Sequence, residues 1–258
     1  MKRLDIALSE IHLCSRSKAK DLIVSGKVFV NQAKVITPSH MIKQDDCIEI
    51  NQDTYEFVSR SGYKLLESLQ SHAFSAVGKH CLDIGASTGG FTDCLLQFGA
   101  ESVVALDVGT LQLDNKLRED PRVIVRENTN AKYMSPTDFP QPFDVVVMDV
   151  SFISIKVFFE RIAPLLASQA QLFILIKPQF EVGPTHLNKH GIVKNQRVIQ
   201  DCLQDFRLYF KQQGYQIKSI DPCSVLGRGG NQEYIAYLTY IREEFDAKTD
   251  HSKELHLD

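Results

Sequence analysis

Residues 77–92, VGKHCLDIGASTGGFT, run a short apolar segment straight into a glycine-rich turn. Downstream, the apolar segment SVVALD closes on a carboxylate at Asp107. Strand, glycine turn, helix, strand and acid, in that order, lay out a nucleotide-cofactor pocket. Glycines let backbone N–H groups approach the ligand, and the acid accepts hydrogen bonds from ribose hydroxyls. The pattern G-A-S-T-G-G is neither the dinucleotide G-x-G-x-x-G nor the phosphate-cradling G-x-x-x-x-G-K-[ST]. A cofactor with a ribose and no pyrophosphate fits, and S-adenosylmethionine is the expected one. Gly85, Gly89, Gly90 and Phe91 would form the turn, Asp83 would support it from the strand, and Asp107 would bind the ribose. Asn128, after the strand in RVIVRE, is the adenine-side candidate. Each has a plainer alternative: Asp83 could cap the turn, Phe91 could belong to the core, and Asn128 could open a loop.

From about Ser61, apolar segments at 80–84, 102–107, 122–125, 143–150, 171–177 and 234–240 alternate with helix-like stretches. Those stretches fall at 62–72, 90–99, 110–118, 155–167 and 195–213. Such alternation predicts an α/β fold, a Rossmann-like, mostly parallel sheet covered on both sides. Residues 61–242 are expected to form this domain, residues 1–60 a smaller α+β one, and residues 243–258 a polar, aperiodic tail.

The first segment is basic, although the whole chain carries a net charge of −3. Residues 1–43 hold eight Lys/Arg against three acids, an asymmetry that suits a polyanion partner. Leu4, Ile6, Ala7, Leu8 and Ile11 fall at helical spacing, Ser15 precedes a second helix over 16–24, and Gly26 ends it. Strands are expected at 27–31 and 45–50. RLDIALSE, SRSKAKDLIVSGKVFVNQ and D-x-C-I-E-I resemble, over about residues 2–50, the small RNA-binding domain named after ribosomal protein S-four. The resemblance implies that Arg3, Arg16, Lys18, Lys20 and Lys27 face RNA phosphates. Phosphate contacts orient RNA without carrying a base code, so such a domain docks its target by shape. Any one of these side chains could equally be a solvated surface charge.

Four charged residues fall where strand and helix ends should converge. Lys64 starts the first helix in SRSGYKLLESL, Asp149 ends the strand in FDVVVMDVSF, Lys177 ends QLFILIKP, and Glu233 opens the last strand in GNQEYIAYL. Ligands of open parallel sheets bind at the carboxyl ends of strands, so Asp149 and Lys177 point at the pocket that GASTGG begins. A charge flush against apolar residues is costly unless paired, and a salt-bridge network that merely closes the sheet is the plainer reading. The set resembles the Lys-Asp-Lys-Glu tetrad of FtsJ-type 2′-O-ribose methyltransferases. SRSGYKL, LDIGASTGGFTD, DVVVMDVSFISI, IKPQFEVG and NQEY are similar, in order over residues 2–240, to the TlyA (haemolysin A) family of rRNA 2′-O-methyltransferases. The resemblance implies methyl transfer from S-adenosylmethionine to a ribose 2′-hydroxyl, of cytidine in rRNA or ribosomal subunits. Lys177 would be the general base, a role that requires its neutral amine; Lys64 and the cationic sulfonium favour that form, and the two carboxylates oppose it. The residues leave open whether Lys177 takes the proton or only orients the hydroxyl. Lys64 and Glu233 would hold substrate and lysine, and Asp149 would orient Lys177 or lie near the methyl donor.

Other chemistries are weaker on sequence. A catalytically silent RNA-binding protein and a membrane-lytic protein are the alternatives. The longest apolar runs, such as LFILI, fall far short of the ~20 residues a membrane span needs. After Met1, Lys2 and Arg3 no apolar signal core follows, so a cytoplasmic protein is expected. Six cysteines without a C-x-x-C pair fit reduced thiols. His186 and His190 are four apart, but Gly183, Pro184 and Gly191 make their segment a loop, and no metal is expected there. DVSF differs from the N/D-P-P-Y/F motif of amino-group methyltransferases, which disfavours base N-methylation.

Overall fold

The computed structural model describes residues 2–11, 15–24, 26–43, 45–50 and 55–241, with no side-chain description for Lys18, Ile50, Arg228 or Ile241. The tail expected over 243–258 lies outside the described residues. The chain divides between Glu56 and Phe57 into two compact units.

In the first unit, β1 (Lys2–Arg3) pairs antiparallel with β4 (Met41–Ile42). Helices α1 (Leu4–Ile11) and α2 (Arg16–Val24) follow β1, and β2 (Val28–Val30) lies between β3 (Ala33–Lys34) and β5 (Ile48–Ile50) in an antiparallel sheet. The core follows from sequence period. Leu4, Ala7 and Leu8 line one face of α1, Ala19 and Ile23 one face of α2, and Val28 and Val30 point the same way from β2. Gly26, at φ +72°, takes the left-handed turn that stops α2, a conformation open to glycine at little cost.

The second unit is a seven-stranded sheet in the order β11-β12-β10-β9-β6-β7-β8. Its strands are β6 (His80–Ile84), β7 (Ser102–Leu106), β8 (Val123–Arg126), β9 (Phe143–Met148), β10 (Leu166–Ile176), β11 (Tyr215–Pro222) and β12 (Tyr234–Ile241). Strands β6 to β10 run parallel, whereas β12 pairs antiparallel with both β10 and β11. Helices α3 (Ser61–Ser71), α4 (Gly90–Gln97), α5 (Asn115–Arg118), α6 (Lys156–Ile162) and α7 (Gln196–Gln212) cover the two faces. Alternate residues of each strand feed opposite cores. Leu82, Val146 and Ile174 meet Phe159 and Phe206 on one side, and Cys81, Val145 and Phe173 meet Leu65 and Leu95 on the other. Burial on both faces is why β9 and β10 read as near-continuous apolar runs.

From β6 the chain runs outward through β7 to β8, then returns to place β9 on the other flank of β6. The carboxyl ends of β6 and β9 therefore form the switch point where open α/β sheets bind ligands. Glycine turn and Asp149 arrive there from opposite flanks: the Asp149 N–H donates to the Ile84 carbonyl at 3.0 Å.

Three elements differ from expectation. Strand β11 was absent from the apolar pattern because its exposed Gln216, Lys218, Asp221 and Pro222 dilute its inward residues. The helix expected over 155–167 ends at Ile162, and a 3₁₀ turn holding Pro164 leads into β10 at Leu166. The helix expected over 110–118 forms only from Asn115. The N–H groups of Leu111, Gln112 and Leu113 donate to the Glu127 carboxylate instead, at 2.7–3.0 Å. The five cysteines among the described residues are free thiols.

Candidate active site

The glycine turn is a device for close approach. Gly85 sits at φ +83°, and a Cβ there would lie 2.6 Å from the Asp149 carbonyl oxygen. The absent side chain lets the tips of β6 and β9 touch and opens a cavity of about 550 Å³, lined by Gly85, Asp107, Asn130, Lys132, Asp149 and Phe152 among others. Asp107 is fixed from both sides: its Oδ2 accepts from the Ser87 N–H at 2.9 Å and its Oδ1 from the Gly109 N–H at 2.7 Å. Gly89 and Gly90 serve packing. A Cβ on Gly89 would strike the Leu117 side chain at 2.2 Å, and one on Gly90 would strike the Ser61 hydroxyl at 2.1 Å. Phe91 is both buried and part of the wall of the neighbouring cavity. Asn128 takes a left-handed turn, φ +53°, and is not among the residues lining this cavity or its neighbour; Asn130, two residues on, lines the one that holds Asp107. A glycine cradle beside an acid at the end of the next strand fits a ribose-bearing cofactor without a pyrophosphate.

Asp83 is fully buried, and its Oδ2 accepts from the Thr92 hydroxyl at 2.7 Å, tying the first turn of α4 to β6. Burial pushes its carboxyl up to about 7, against the Thr92 hydrogen bond and with help from the nearby Asp149 and Asp107 carboxylates. Since the folded value lies above the unfolded one near ~3.9, this carboxyl favours the fold most below pH ~4 and loses that contribution as pH rises through 7. Asp83→Asn removes the titration. The stability difference between wild type and variant should therefore change by roughly 4 kcal/mol between pH ~4 and ~7, wild type gaining on the acid side. Urea unfolding across that range reads it, and a constant difference would contradict the buried-acid account.

The four charged residues form two ion pairs. Lys64 Nζ lies 2.5 Å from Glu233 Oε2, and Lys177 Nζ lies 2.5 Å from Asp149 Oδ1. Lys64, Lys177 and Glu233 are each less than a tenth exposed. Lys177 also donates to the Ser151 hydroxyl at 2.9 Å. All four line a cavity of about 670 Å³ that adjoins the first and shares Gly85, Ser87, Gln112, Asp149, Ser151 and Phe152 with it. Asp149 is thus the carboxylate shared between the cofactor-sized hollow and the lysine-lined one.

Four neighbours escaped sequence reasoning. Glu127, just past β8, gathers the three N–H groups named above and pairs with Arg118. That Arg118 bond, foremost, holds its carboxyl down at about 2. It therefore anchors the loop carrying Gln112, and an acid at the end of a strand next to the Asp107 strand was the available signal. Ser151 and Gln179 each stand two residues beyond a recognised charge. Phe152 is 89% exposed at φ +64° and packs against Phe180, ring centroids 4.9 Å apart, at the junction of the two cavities.

The residues assigned to RNA divide. Lys20 is exposed, and the Lys18 side chain lies outside the described residues. Arg3 and Arg16 are partly exposed, yet both hold the buried Asp5: Arg3 Nε donates to Oδ1 at 3.0 Å and Arg16 Nε to Oδ2 at 3.1 Å. Lys27 is corrected. Only 8% exposed, it directs its ammonium to the Tyr55 carbonyl at 3.4 Å, so it braces the unit from inside and offers no surface charge to a phosphate. The Arg3 hydrogen bond, followed by the Arg16 bond against the opposing effect of burial, lowers the Asp5 carboxyl to about 2. This contribution to stability is present above pH ~4 and is lost as pH falls toward 2. Circular dichroism of acid unfolding should show the early loss in wild type flattened in Asp5→Asn; identical acid profiles would contradict the role. His190 lines the lysine cavity, whereas His186 lines a separate hollow beside Asp201 and Asp205. Among the described residues no helix is long and apolar enough to cross a membrane.

Comparison with known proteins bears on both units. The family model for FtsJ-like methyltransferases matches residues 57–240, and that for the S4 domain matches residues 2–48. The chain is 42% identical to Hemolysin A of Brachyspira hyodysenteriae, over 89% of this chain and 96% of the relative. It is 35% identical to the 16S/23S rRNA (cytidine-2′-O)-methyltransferase TlyA of Mycobacterium tuberculosis, over 87% of this chain and 84% of that protein. A solved chain from Streptococcus thermophilus, named as a candidate hemolysin, superposes with a TM-score of 0.70 at 34% identity, covering 93% of this chain and 88% of that one.

Proposed function

The chain belongs to the FtsJ-like methyltransferase family and carries an S4 domain, and from that premise we propose that it methylates a ribose 2′-hydroxyl of cytidine in ribosomal RNA. The observation that supports this reading most is the pair of buried lysine–carboxylate couples facing one cavity at the switch point, contiguous with the glycine cradle through Asp149. S-Adenosylmethionine, when bound, supplies a methyl group on a cationic sulfur. Gly85, Asp107 and Asn130 would hold its nucleoside part, and Asp149 would lie toward the reacting end.

The chain's own residues do the rest. Asp149 and the Ser151 hydroxyl hold Lys177 Nζ, and Lys177 lines the cavity. A ribose hydroxyl is a poor nucleophile and must shed its proton as its oxygen takes the methyl. In this reading Lys177 first gives up its own proton to solvent in the cavity, and its neutral Nζ then accepts the hydroxyl proton, which is general-base work. Lys64, held by Glu233, lines the same cavity and would bind substrate there. Phe152, exposed at the junction, offers a nucleobase an aromatic face and would help seat the target nucleotide. In this reading Lys20, Arg3 and Arg16 of the S4 domain would contact phosphates, and a ribosomal RNA target fits a cytoplasmic enzyme.

The test is methyl transfer in vitro. Purified protein, labelled S-adenosylmethionine and rRNA or ribosomal subunits from cells lacking the protein should give label in RNA, mapped by primer extension to a cytidine. Stable binding to the subunits without transferred label would favour a silent RNA-binding protein.

A further inference from the structure

No ion pair or hydrogen bond joins the two couples among the described residues, but the turn that follows Lys177 carries a side chain that reaches Glu233. Gln179 stands two residues beyond Lys177 in the 3₁₀ turn Pro178–Phe180, whose Phe180 N–H donates to the Lys177 carbonyl at 2.9 Å. From that turn its Nε2 donates to Glu233 Oε1 at 3.1 Å, while the other carboxylate oxygen, Oε2, takes Lys64. A carboxylate only accepts, so the nitrogen end of the amide must face Glu233 and the oxygen end must face away. That oxygen is buried and finds no donor among the described residues. Leaving a buried acceptor without a donor is costly, so packing alone does not account for an amide here. Glu233 is itself 3% exposed and hemmed in: a Cβ on Gly227 would lie 2.1 Å from Oε1.

We propose that Gln179 is a positioning residue that divides the two oxygens of Glu233, one for its own amide and one for the Lys64 ammonium, and so keeps the Lys64–Glu233 pair in register with the turn carrying Lys177. The assignment rests on the methyl-transfer reading for its kinetic consequence and on the geometry above for its existence. Without the amide, Glu233 can rotate and Lys64 can bridge both oxygens, moving the substrate-binding ammonium relative to Lys177. Displacements of this kind are felt in rate because near-attack geometry is lost over about 1 Å.

Lys64 from α3 and Gln179 from the turn after β10 contact Glu233; Arg60, Asp149, Lys177 and His190 line the same cavity, and Cys223 after β11 lies near Glu233, Lys64, Asp149 and Glu67. Burial pushes the Cys223 thiol up to about 12, so it stays protonated. Gln179→Glu would set a second carboxylate against Oε1 at the 3.1 Å the amide now occupies. Two carboxylates that close share one proton, and the protonated Glu then donates as the amide did.

The experiment compares wild type, Gln179→Leu, Gln179→Glu, Glu233→Gln and the Gln179→Leu/Glu233→Gln double variant. Gln179→Leu should lower kcat by about tenfold with KM and the S-adenosylmethionine Kd within about twofold. The loss should vanish in the Glu233→Gln background, since the residue acts through Glu233. Gln179→Glu should recover relative to Gln179→Leu as pH falls from about 8 to about 6. Wild-type kcat in Gln179→Leu, or the same fold-loss in both backgrounds, would overturn the assignment. If wild type transfers no methyl to RNA, the functional reading fails instead. The assignment is then decided by the side-chain amide resonance of Gln179 in the unliganded protein, which moves on Glu233→Gln if the contact exists and stays put if it does not.

Discussion

Lys177→Met is expected to lower kcat by about 10²–10⁴-fold, the range that a positioned proton acceptor supplies. Methionine keeps an unbranched stem in the buried channel and removes the amine that Asp149 and Ser151 hold. Lys177→Arg separates the two roles the amine can play. Arginine keeps a cation and hydrogen-bond donors toward Asp149 but stays protonated in proteins. Equal losses in the two variants identify proton acceptance as the larger part, whereas near-normal turnover with arginine reduces Lys177 to orienting the hydroxyl and contradicts the general base. Initial rates at saturating S-adenosylmethionine measure both.

Gly85→Val should abolish cofactor binding while leaving the S4 domain intact. Two effects combine at that position. A β-branched residue is strained at φ +83°, a left-handed conformation that costs roughly 1–2 kcal/mol even for ordinary L-residues. Its Cβ would also lie 2.6 Å from the Asp149 carbonyl oxygen, so the tips of β6 and β9 must part and the shared wall of both cavities opens. A loss of at least about 100-fold in S-adenosylmethionine affinity, some 2.7 kcal/mol, is expected by isothermal titration. Wild-type affinity in this variant would mean that the glycine turn is not the cradle.

Much of this architecture is legible in the sequence because its strongest signals are apolar. Strands β6, β7, β9 and β10 are buried on both faces, so runs such as VVVM and LFILI stand out. The glycine turn and the charges at strand tips follow from the same logic, since a charge beside such a run marks its end. Strand β11 carries no such contrast. Its neighbour β12 covers one edge, and half of its residues face water. Segment 110–118 has a helical composition, but Glu127 claims the N–H groups that a first helical turn would leave unpaired, and that claimant lies 14–16 residues downstream.

Partnerships are harder to read than positions. Lys64, Asp149, Lys177 and Glu233 could be named from strand and helix ends, but which carboxylate takes which lysine depends on sheet order. Glu233 immediately precedes β12, which is inserted antiparallel between β10 and β11, and this brings it to Lys64 across 169 residues. Lys27 shows the opposite failure. Its place in a basic segment suited a phosphate contact, but its carbon stem is buried and its ammonium turns to a backbone carbonyl. Arg3 and Arg16 are likewise committed in part to Asp5, a pairing that orders the two guanidinium groups before any RNA arrives.

Where the methyl group lands separates ribose from base chemistry. Digestion of the methylated rRNA to nucleosides, followed by fragmentation in a mass spectrometer, separates sugar from base. A methyl that stays with the ribose of cytidine, on an oxygen that resists alkaline cleavage of the adjoining phosphodiester, is the predicted result. A methyl that travels with the base would contradict the assignment of the Lys177–Asp149 and Lys64–Glu233 pairs to ribose hydroxyl chemistry.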